Sequence, residues 1–258
     1  MYARLAPYYD RFFSFGDAAR AFFKHLVAAL GARRLLDVAS GSGFHAAEFA
    51  SSGLDVLAVD LEPAMIRLAE ARARAGSPFA ARVADMRELT PVAGMGRWDI
   101  LTCLGNSLPH LLTDQDLRTF CGEARAVLAE PGVAVIQTLN YDRIVAEAVR
   151  ALPVIVRPEA GLRLERTYEP LEDGLLRFTT VLTVASGPDA GEHRQDVTLR
   201  PLLSTQLEGF LAQAGFDEVR MLGGFDGTPA NAGSVHTVAV ARRGGSRRLS
   251  ELCLRARI

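Results

Sequence analysis

Between Arg34 and Leu139 the chain alternates short apolar runs with amphipathic stretches, and nothing else in it restricts the fold as strongly. Arg34–Val38 (RLLDV) reads as a strand, followed by a glycine turn and a helix over 44–51. A strand over 54–59 comes next, then a helix opened by Pro63 and running to about Ala75, since proline is tolerated in a first turn. Strands over 79–83 and 99–104, a helix over 114–128 and a fifth strand over 133–139 complete the series. Ahead of it, Phe22, Phe23, Leu26, Val27 and Leu30 recur at helical spacing over 20–30. Strands separated by helices of this length pair in parallel, with helices on both faces of the sheet.

The pattern changes after Tyr141. Residues 162–169, 175–184 and 194–202 read as three extended segments, with turns at Gly174 and at Ser186–Gly191. Consecutive strands with short turns predict an antiparallel meander inserted on the core. Thr205 with Glu208 has the spacing of a capping box and opens a helix over 205–214 that stops at Gly215. Strands near 217–222 and 235–241 return to the core pattern. The division predicted is a core of 1–150 with 203–243, an inserted antiparallel subdomain over 151–202 serving as substrate lid, and a basic tail over 244–258. From Arg242 onward six arginines face one glutamate with few packing residues, which reads as a solvated, frayed end.

Charge and cysteine usage limit the function classes. Twenty-nine basic residues against 30 acidic ones leave a net charge of −1, so no overall attraction draws the chain to nucleic acid or anionic membrane. Lys24 is the only lysine, a bias of a GC-rich, bacterial genome. Cys103, Cys121 and Cys253 are odd in number and lack metal-ligand spacing, which suits reduced thiols in the cytoplasm and no metal. No apolar run approaches the ~20 residues of a membrane span, and charges interrupt the N-terminus too early for a signal peptide.

The chemistry concentrates at strand ends. Asp37-Val-Ala-Ser-Gly41-Ser-Gly43 follows the first strand, and glycines there let the backbone turn tightly and approach a ligand. Gly41-x-Gly43-x-x-Ala46 alone also fits a dinucleotide fingerprint, but Asp37 suits a cationic ligand group and sits poorly beside a pyrophosphate. Asp60 ends the second strand, where a carboxylate can accept both hydroxyls of a ribose. Asp85-Met86 closes the third with an acceptor and a flat apolar contact, suitable for an adenine. Together they line the carboxyl edge of a parallel sheet, where such folds bind ligands.

With Cys103-Leu-Gly-Asn-Ser107-Leu-Pro-His110 after the fourth strand and Asn140-Tyr-Asp142 after the fifth, the chain resembles class I S-adenosylmethionine-dependent methyltransferases, and within them the glycine N-methyltransferase branch. The likeness spans roughly residues 8–145. It implies an α/β, Rossmann-like fold with a mostly parallel seven-stranded sheet carrying the antiparallel meander. It also implies S-adenosylmethionine as cofactor, held by Asp37, Ala39, Gly41 and Gly43 at its methionine part, Asp60 at the ribose, and Leu61, Met65, Asp85 and Met86 around adenine. Leu104 and Ser107 would touch it near the sulfonium, Tyr9 would close over it, and Asn106 would face the acceptor.

One position departs from the family. Where its glycine enzymes carry an arginine for the amino acid's carboxylate, this chain has Leu139, which offers no bidentate partner. Arg143, Arg166 and Arg200 are candidates to replace it, and Arg200 is taken with Asn140, Tyr141 and Tyr168 as acceptor-binding. Methyl transfer is an in-line displacement that depends on positioning. A neutral amine needs no strong base at the moment of attack, whereas a hydroxyl or carbon acid usually does. His110, in the loop over the site, is the candidate base, and Asn106 the second catalytic candidate. The expected enzyme is a cytoplasmic methyltransferase of a small-molecule amine, with no nucleic-acid or membrane partner and with a homo-oligomer left open. Its rivals are an O- or C-methyltransferase of a secondary metabolite, a nicotinamide-dependent oxidoreductase, and a cofactor-binding protein without turnover.

Overall fold

A computed structural model describes residues 8–13, 15–73 and 78–252 of the chain. The first half runs α1 (Tyr9–Phe12), α2 (Asp17–Leu30), β1 (Arg34–Val38), α3 (Phe44–Ser51), β2 (Asp55–Asp60), α4 (Pro63–Arg72), β3 (Phe79–Val83), α5 (Thr90–Ala93) and β4 (Trp98–Cys103). It continues with α6 (Asp114–Val127), β5 (Leu128–Leu139), α7 (Tyr141–Ala146), β6 (Ile155–Arg157), β7 (Leu162–Pro170), β8 (Leu176–Val184) and β9 (Gly191–Leu199). The last elements are α8 (Ser204–Gln213), β10 (Glu218–Leu222), β11 (His236–Arg243) and α9 (Leu249–Leu252).

Seven strands form one sheet in the order β10-β11-β5-β4-β1-β2-β3. β1 to β5 are parallel, and β11 runs antiparallel to both β5 and β10. Successive side chains on a strand point to opposite faces, so neighbours in sequence feed different layers. Leu36, Leu101, Ala134 and Ile136 pack with Leu117 and Phe120 of α6 and Leu207 of α8. Leu35, Ile100, Val133 and Val135 pack with Phe22 and Leu26 of α2 and Phe49 of α3. The helices end where local chemistry stops them. Gly31 takes a left-handed conformation after α2, and its N–H and that of Ala32 return to Ala28 and Val27. Thr113 caps α6 by accepting the Asp116 N–H at 3.1 Å.

Chain order reverses at β1, with β2 and β3 on one side and β4 and β5 on the other. The carboxyl ends of β1 and β4 therefore flank a topological switch point, the usual ligand crevice of such sheets.

The second sheet has four antiparallel strands in the order β6-β7-β8-β9. Three of them match the extended segments read from the sequence, and the fourth, β6, is a three-residue edge pairing Ile155 with Leu164. One end of its inner face, Leu162, Leu164, Leu182 and Val184, packs under Phe12 of α1. The other end, Tyr168, Leu176, Phe178, Val197 and Leu199, packs on Tyr141 and Ile144.

Three expectations need correction. The capping pair of α8 is not Thr205 with Glu208: Gln206 Oε1 accepts the Leu203 N–H at 3.2 Å, and Asp142 takes the Ser204 N–H at 3.0 Å, so the helix starts earlier. β5 begins at Leu128, five residues before Val133, where it already pairs with Trp98 of β4. The segment after Arg243 is not solvated throughout. Leu249 and Leu252 are buried against the α2 layer, and Glu218 accepts the Leu249 N–H at 2.8 Å. Cys253 and the residues after it lie outside the described part of the chain. Among the described residues no helix is long and apolar enough to cross a membrane.

Candidate active site

β1 delivers Asp37 to the switch point as a buried carboxylate, opposite Thr102 on β4. Thr102 Oγ1 donates to Asp37 Oδ1 at 2.7 Å, while Asp37 Oδ2 is buried without a hydrogen-bond partner. Burial pushes this carboxyl up to about 7; the Thr102 hydroxyl opposes the shift and the nearby Asp60 charge adds to it. The turn that follows carries two left-handed glycines, Gly41 and Gly43, and a left-handed alanine, Ala39. Gly43 is obligatory for a second reason: a Cβ there would stand 2.6 Å from the Ala69 Cβ. Ser40, whose hydroxyl is also buried without a partner, sits in the same turn.

Asp60, at the end of β2, braces that turn. Its Oδ2 accepts the Gly41 N–H at 2.8 Å and its Oδ1 the Glu62 N–H at 2.8 Å. Burial raises its pKa, and the two backbone donors oppose the rise. Leu61 beside it is 66 % exposed, an apolar side chain presented to the crevice, while Met65 is buried beneath. Asp85 lies two residues past β3 rather than closing it, because the strand ends at Val83. Arg87 bridges Asp85 at 2.7 Å and Asp116 at 2.7 Å, and that guanidinium holds the Asp85 carboxyl below the usual carboxylate range. Met86 packs on the adjoining core.

A strap closes one side. Asp10 of α1 accepts from the Ser42 hydroxyl and pairs with Arg72, whose Nε donates to the Ser42 carbonyl at 2.8 Å. In the same short helix the Arg11 carbonyl accepts from Arg157 Nε of β6 at 2.9 Å, and Phe12 is buried in the small sheet. Sequence reasoning did not single out Asp10, Ser42, Arg72 or Ser40, because nothing local marks residues that meet only across the fold. The side chain of Tyr9 lies outside what the structure describes.

Comparison with known proteins decides the family. Residues 35–132 match the model of a methyltransferase domain. The glycine/sarcosine N-methyltransferase of Parasynechococcus marenigrum (strain WH8102) is 30 % identical over 221 residues, 84 % of this chain and 76 % of that one. The chain belongs to the S-adenosylmethionine-dependent methyltransferases. A glycine/sarcosine N-methyltransferase from Aphanothece halophytica is 29 % identical, over 80 % of this chain and 75 % of its own. Among solved structures, a methyltransferase from Clostridium acetobutylicum superposes with a TM-score of 0.78 at 17 % identity, covering 95 % of this chain and 99 % of that one. CalS10, an amino pentose methyltransferase from Micromonospora echinaspora with its cofactor bound, gives 0.71 at 24 %, over 93 % and 96 %. These two share the fold.

S-adenosylmethionine is the cofactor of this methyltransferase, and its residues fit that group. The unpartnered Asp37 oxygen can receive an ammonium, Gly41 and Gly43 permit close backbone approach, and Asp60 and Leu61 present a carboxylate beside an apolar surface. A pH prediction follows from Asp37. Its folded carboxyl holds a proton up to about 7, against an ordinary value of 3.8, so the folded state binds more protons than the unfolded one between them. This group therefore removes stability from the cofactor-free methyltransferase as pH rises through that window, and contributes no further change above it. A bound ammonium favours the carboxylate, so cofactor binding at about pH 6 is expected to release a proton. Calorimetry in buffers of different ionisation enthalpy measures it; equal heats, or a release that persists in Asp37→Asn, would exclude Asp37 as the source.

The acceptor side of the methyltransferase departs further from expectation. Leu104 is buried in the core, and the Ser107 carbonyl accepts the His110 N–H at 3.1 Å in a 3₁₀ turn, Leu108–His110. His110 is half-buried there, and burial lowers its pKa, which keeps the imidazole uncharged. Asn106 does not simply face an acceptor: its Oδ1 accepts the Leu139 N–H at 3.1 Å and its Nδ2 donates to the Tyr141 hydroxyl at 2.9 Å. It is a positioning residue that ties the β4 loop to the end of β5.

The Asn140 side chain is engaged in structure as well. Its Oδ1 caps α7 through the Arg143 N–H at 3.1 Å, and its Nδ2 donates to the carbonyls of Asn231 and Ser234, both at 3.0 Å. Tyr141 is fully buried, and Tyr168 packs beside it with ring centroids 6.5 Å apart, so both act first as packing. Arg200 pairs with Asp114 at 2.7 Å and stacks on Phe210, while Arg143 pairs with Glu147 at 3.1 Å. Leu139 packs against the Tyr141 and Tyr168 cluster.

Proposed function

We propose that this methyltransferase acts in the cytoplasm and transfers its methyl group to the nitrogen of a small-molecule amine held between the carboxyl edge of the main sheet and the four-stranded sheet. The observation that carries the reading is the loop from Leu104 to Leu111, whose single titratable side chain, His110, is kept uncharged by burial. A neutral amine attacks with its own lone pair, so such a loop suffices; a hydroxyl or carbon acid would call for a stronger base. The relatives named as glycine/sarcosine N-methyltransferases support a nitrogen acceptor. Leu139, apolar and packed, argues against glycine or sarcosine themselves.

When bound, S-adenosylmethionine supplies an electrophilic methyl on a sulfonium. Asp37 and Ser40 would hold its amino-acid part, Asp60 its ribose, and Leu61 with Met65, Asp85 and Met86 the adenine region. The acceptor nitrogen would gain the methyl as its bond to the sulfonium sulfur breaks and that sulfur leaves as a neutral thioether, and the proton shed by the resulting ammonium would pass to the His110 imidazole or to water. Buried Cys103 and Cys121, both free, suit a reducing compartment.

Incubating the protein with labelled S-adenosylmethionine and pools of small amines, alcohols and phenols, then locating the methyl by NMR, tests the proposal. Label on nitrogen is expected. Label only on oxygen or carbon would overturn it, and turnover of glycine with ordinary affinity would refute the argument from Leu139.

A further inference from the structure

On β7 and β8 the inner face of the four-stranded sheet is apolar except for one row, and on β9 it also carries His193, opposite Leu182. Alternation places Leu162, Leu164, Arg166 and Tyr168 of β7 on it, and the register sets Arg166 opposite Thr180, which in turn faces Gln195. On β7 and β8 the neighbouring rows are buried: Leu164 with Leu182 on one side, Tyr168 with Phe178 on the other. Arg166, Thr180 and Gln195 are only half-buried, so the row opens to solvent in the middle of a covered face.

Its position is fixed from both ends. The Leu164 side packs under Phe12, in the helix whose Asp10 bonds Ser42 of the glycine turn. The Tyr168 side packs on Tyr141, whose hydroxyl meets Asn106 in the β4 loop. The polar row thus lies between a row tied through Phe12 to the helix that braces the cofactor turn and a row tied through Tyr141 to the β4 loop.

Arg166 is also the one replacement candidate without a carboxylate. Arg143 and Arg200 are paired, whereas Arg166 donates Nη2 to the Pro153 carbonyl at 2.9 Å and leaves Nε buried and unpartnered among the described residues. A half-buried guanidinium with unused donors is unfavourable unless an anion completes it. Thr180 Oγ1 reaches only the Gln195 carbonyl, at 3.5 Å, so the row has further hydrogen-bonding capacity.

We propose that Arg166, flanked by Thr180 and Gln195, anchors an anionic oxygen group, carboxylate or phosphate ester, carried by the acceptor amine. The proposal rests on the reading of the chain as an amine methyltransferase and names the acceptor class: amines that bear an anion. The anchor stands on the lid sheet and not at the end of β5, so it selects a different spacing between nitrogen and anion from the one an arginine at position 139 would select.

The test uses protein loaded with S-adenosylhomocysteine and paired probes. Glycine, β-alanine and γ-aminobutyrate are compared with their methyl esters, and aminoethyl phosphate with ethanolamine, by calorimetry and by methyl incorporation from S-adenosylmethionine. At least one anionic probe is expected to bind about 10- to 100-fold more tightly than its neutral partner, the carboxylates and the phosphate reporting which source fits. Arg166→Gln is expected to abolish that difference, raising KM about 10- to 100-fold with a smaller change in kcat; Arg166→Lys restores part of it. Cofactor affinity is unchanged in both variants, which separates the effect from misfolding. The anchor is overturned if no anionic probe outbinds its partner, or if the difference survives Arg166→Gln. Nitrogen methylation without anion preference would sink the anchor alone, and anion-dependent binding with methylation elsewhere would sink only the amine reading.

Discussion

Asp60→Ala is expected to weaken S-adenosylmethionine binding by roughly 100- to 10,000-fold. The wild-type carboxylate braces the turn through the Gly41 N–H and the start of α4 through the Glu62 N–H, both at 2.8 Å. Each oxygen keeps a lone pair for a ribose hydroxyl. Alanine removes the brace and the hydroxyl acceptors together. Two charge-assisted contacts at about 1.5–3 kcal/mol each account for the loss, with each 1.4 kcal/mol worth about tenfold. Alanine leaves the Gly41 and Glu62 amides without their acceptor, so stability is expected to fall by about 1–3 kcal/mol, offset in part because burial raises the Asp60 pKa and makes the charge costly to hold. Calorimetry and a denaturant titration read the two effects separately. Affinity within threefold of wild type would show that the ribose is held elsewhere.

Asn140→Ala is expected to act chiefly on stability, costing about 2–4 kcal/mol while changing cofactor affinity only a few-fold. The side chain satisfies one α7 amide and two carbonyls, of Asn231 and Ser234, while 4 % exposed. Loss of a cap costs about 1 kcal/mol, and each abandoned buried partner adds about 1 kcal/mol or more. Asn140→Asp keeps the cap but turns a carboxylate toward two carbonyls, so it is not a rescue. Urea unfolding followed by circular dichroism measures both. A loss below about 0.5 kcal/mol would mean that the 231–234 loop is fixed by other contacts.

These two residues mark what the sequence could and could not convey. Asp60 was legible because its meaning is local: a strand end, a glycine turn before it and a helix-opening proline after it are all within one βαβ unit. For the same reason the order of the parallel core was readable, with β1, α3 and β3 spanning the expected positions, whereas β5 begins five residues early and α5 carries no periodic signal. Asn140 was less legible. Asn-Tyr-Asp suggests an acceptor pocket when taken as a phrase, yet its first member caps α7, its second packs in the core and its third caps α8 through the Ser204 N–H. The signal was present, since asparagine before a short helix is a capping residue, but its two other partners lie about 90 residues away. Arg200 failed similarly. Its carboxylate partner, Asp114, comes from another helix, and no spacing rule announces such a pair. Arg166 became distinguishable from its rivals only once strand register showed which face it shares.

The strap has a consequence for how the two substrates meet. Four residues, Tyr9–Phe12, touch the glycine turn through Asp10 and the lid sheet through Phe12 and the Arg11 carbonyl. One turn of helix is thus a shared wall, and order gained on one side is order the other side need not supply. Cofactor and acceptor binding are therefore expected to be coupled through this turn, each ligand tightening the other to the same degree, which calorimetry of either ligand with and without the other measures.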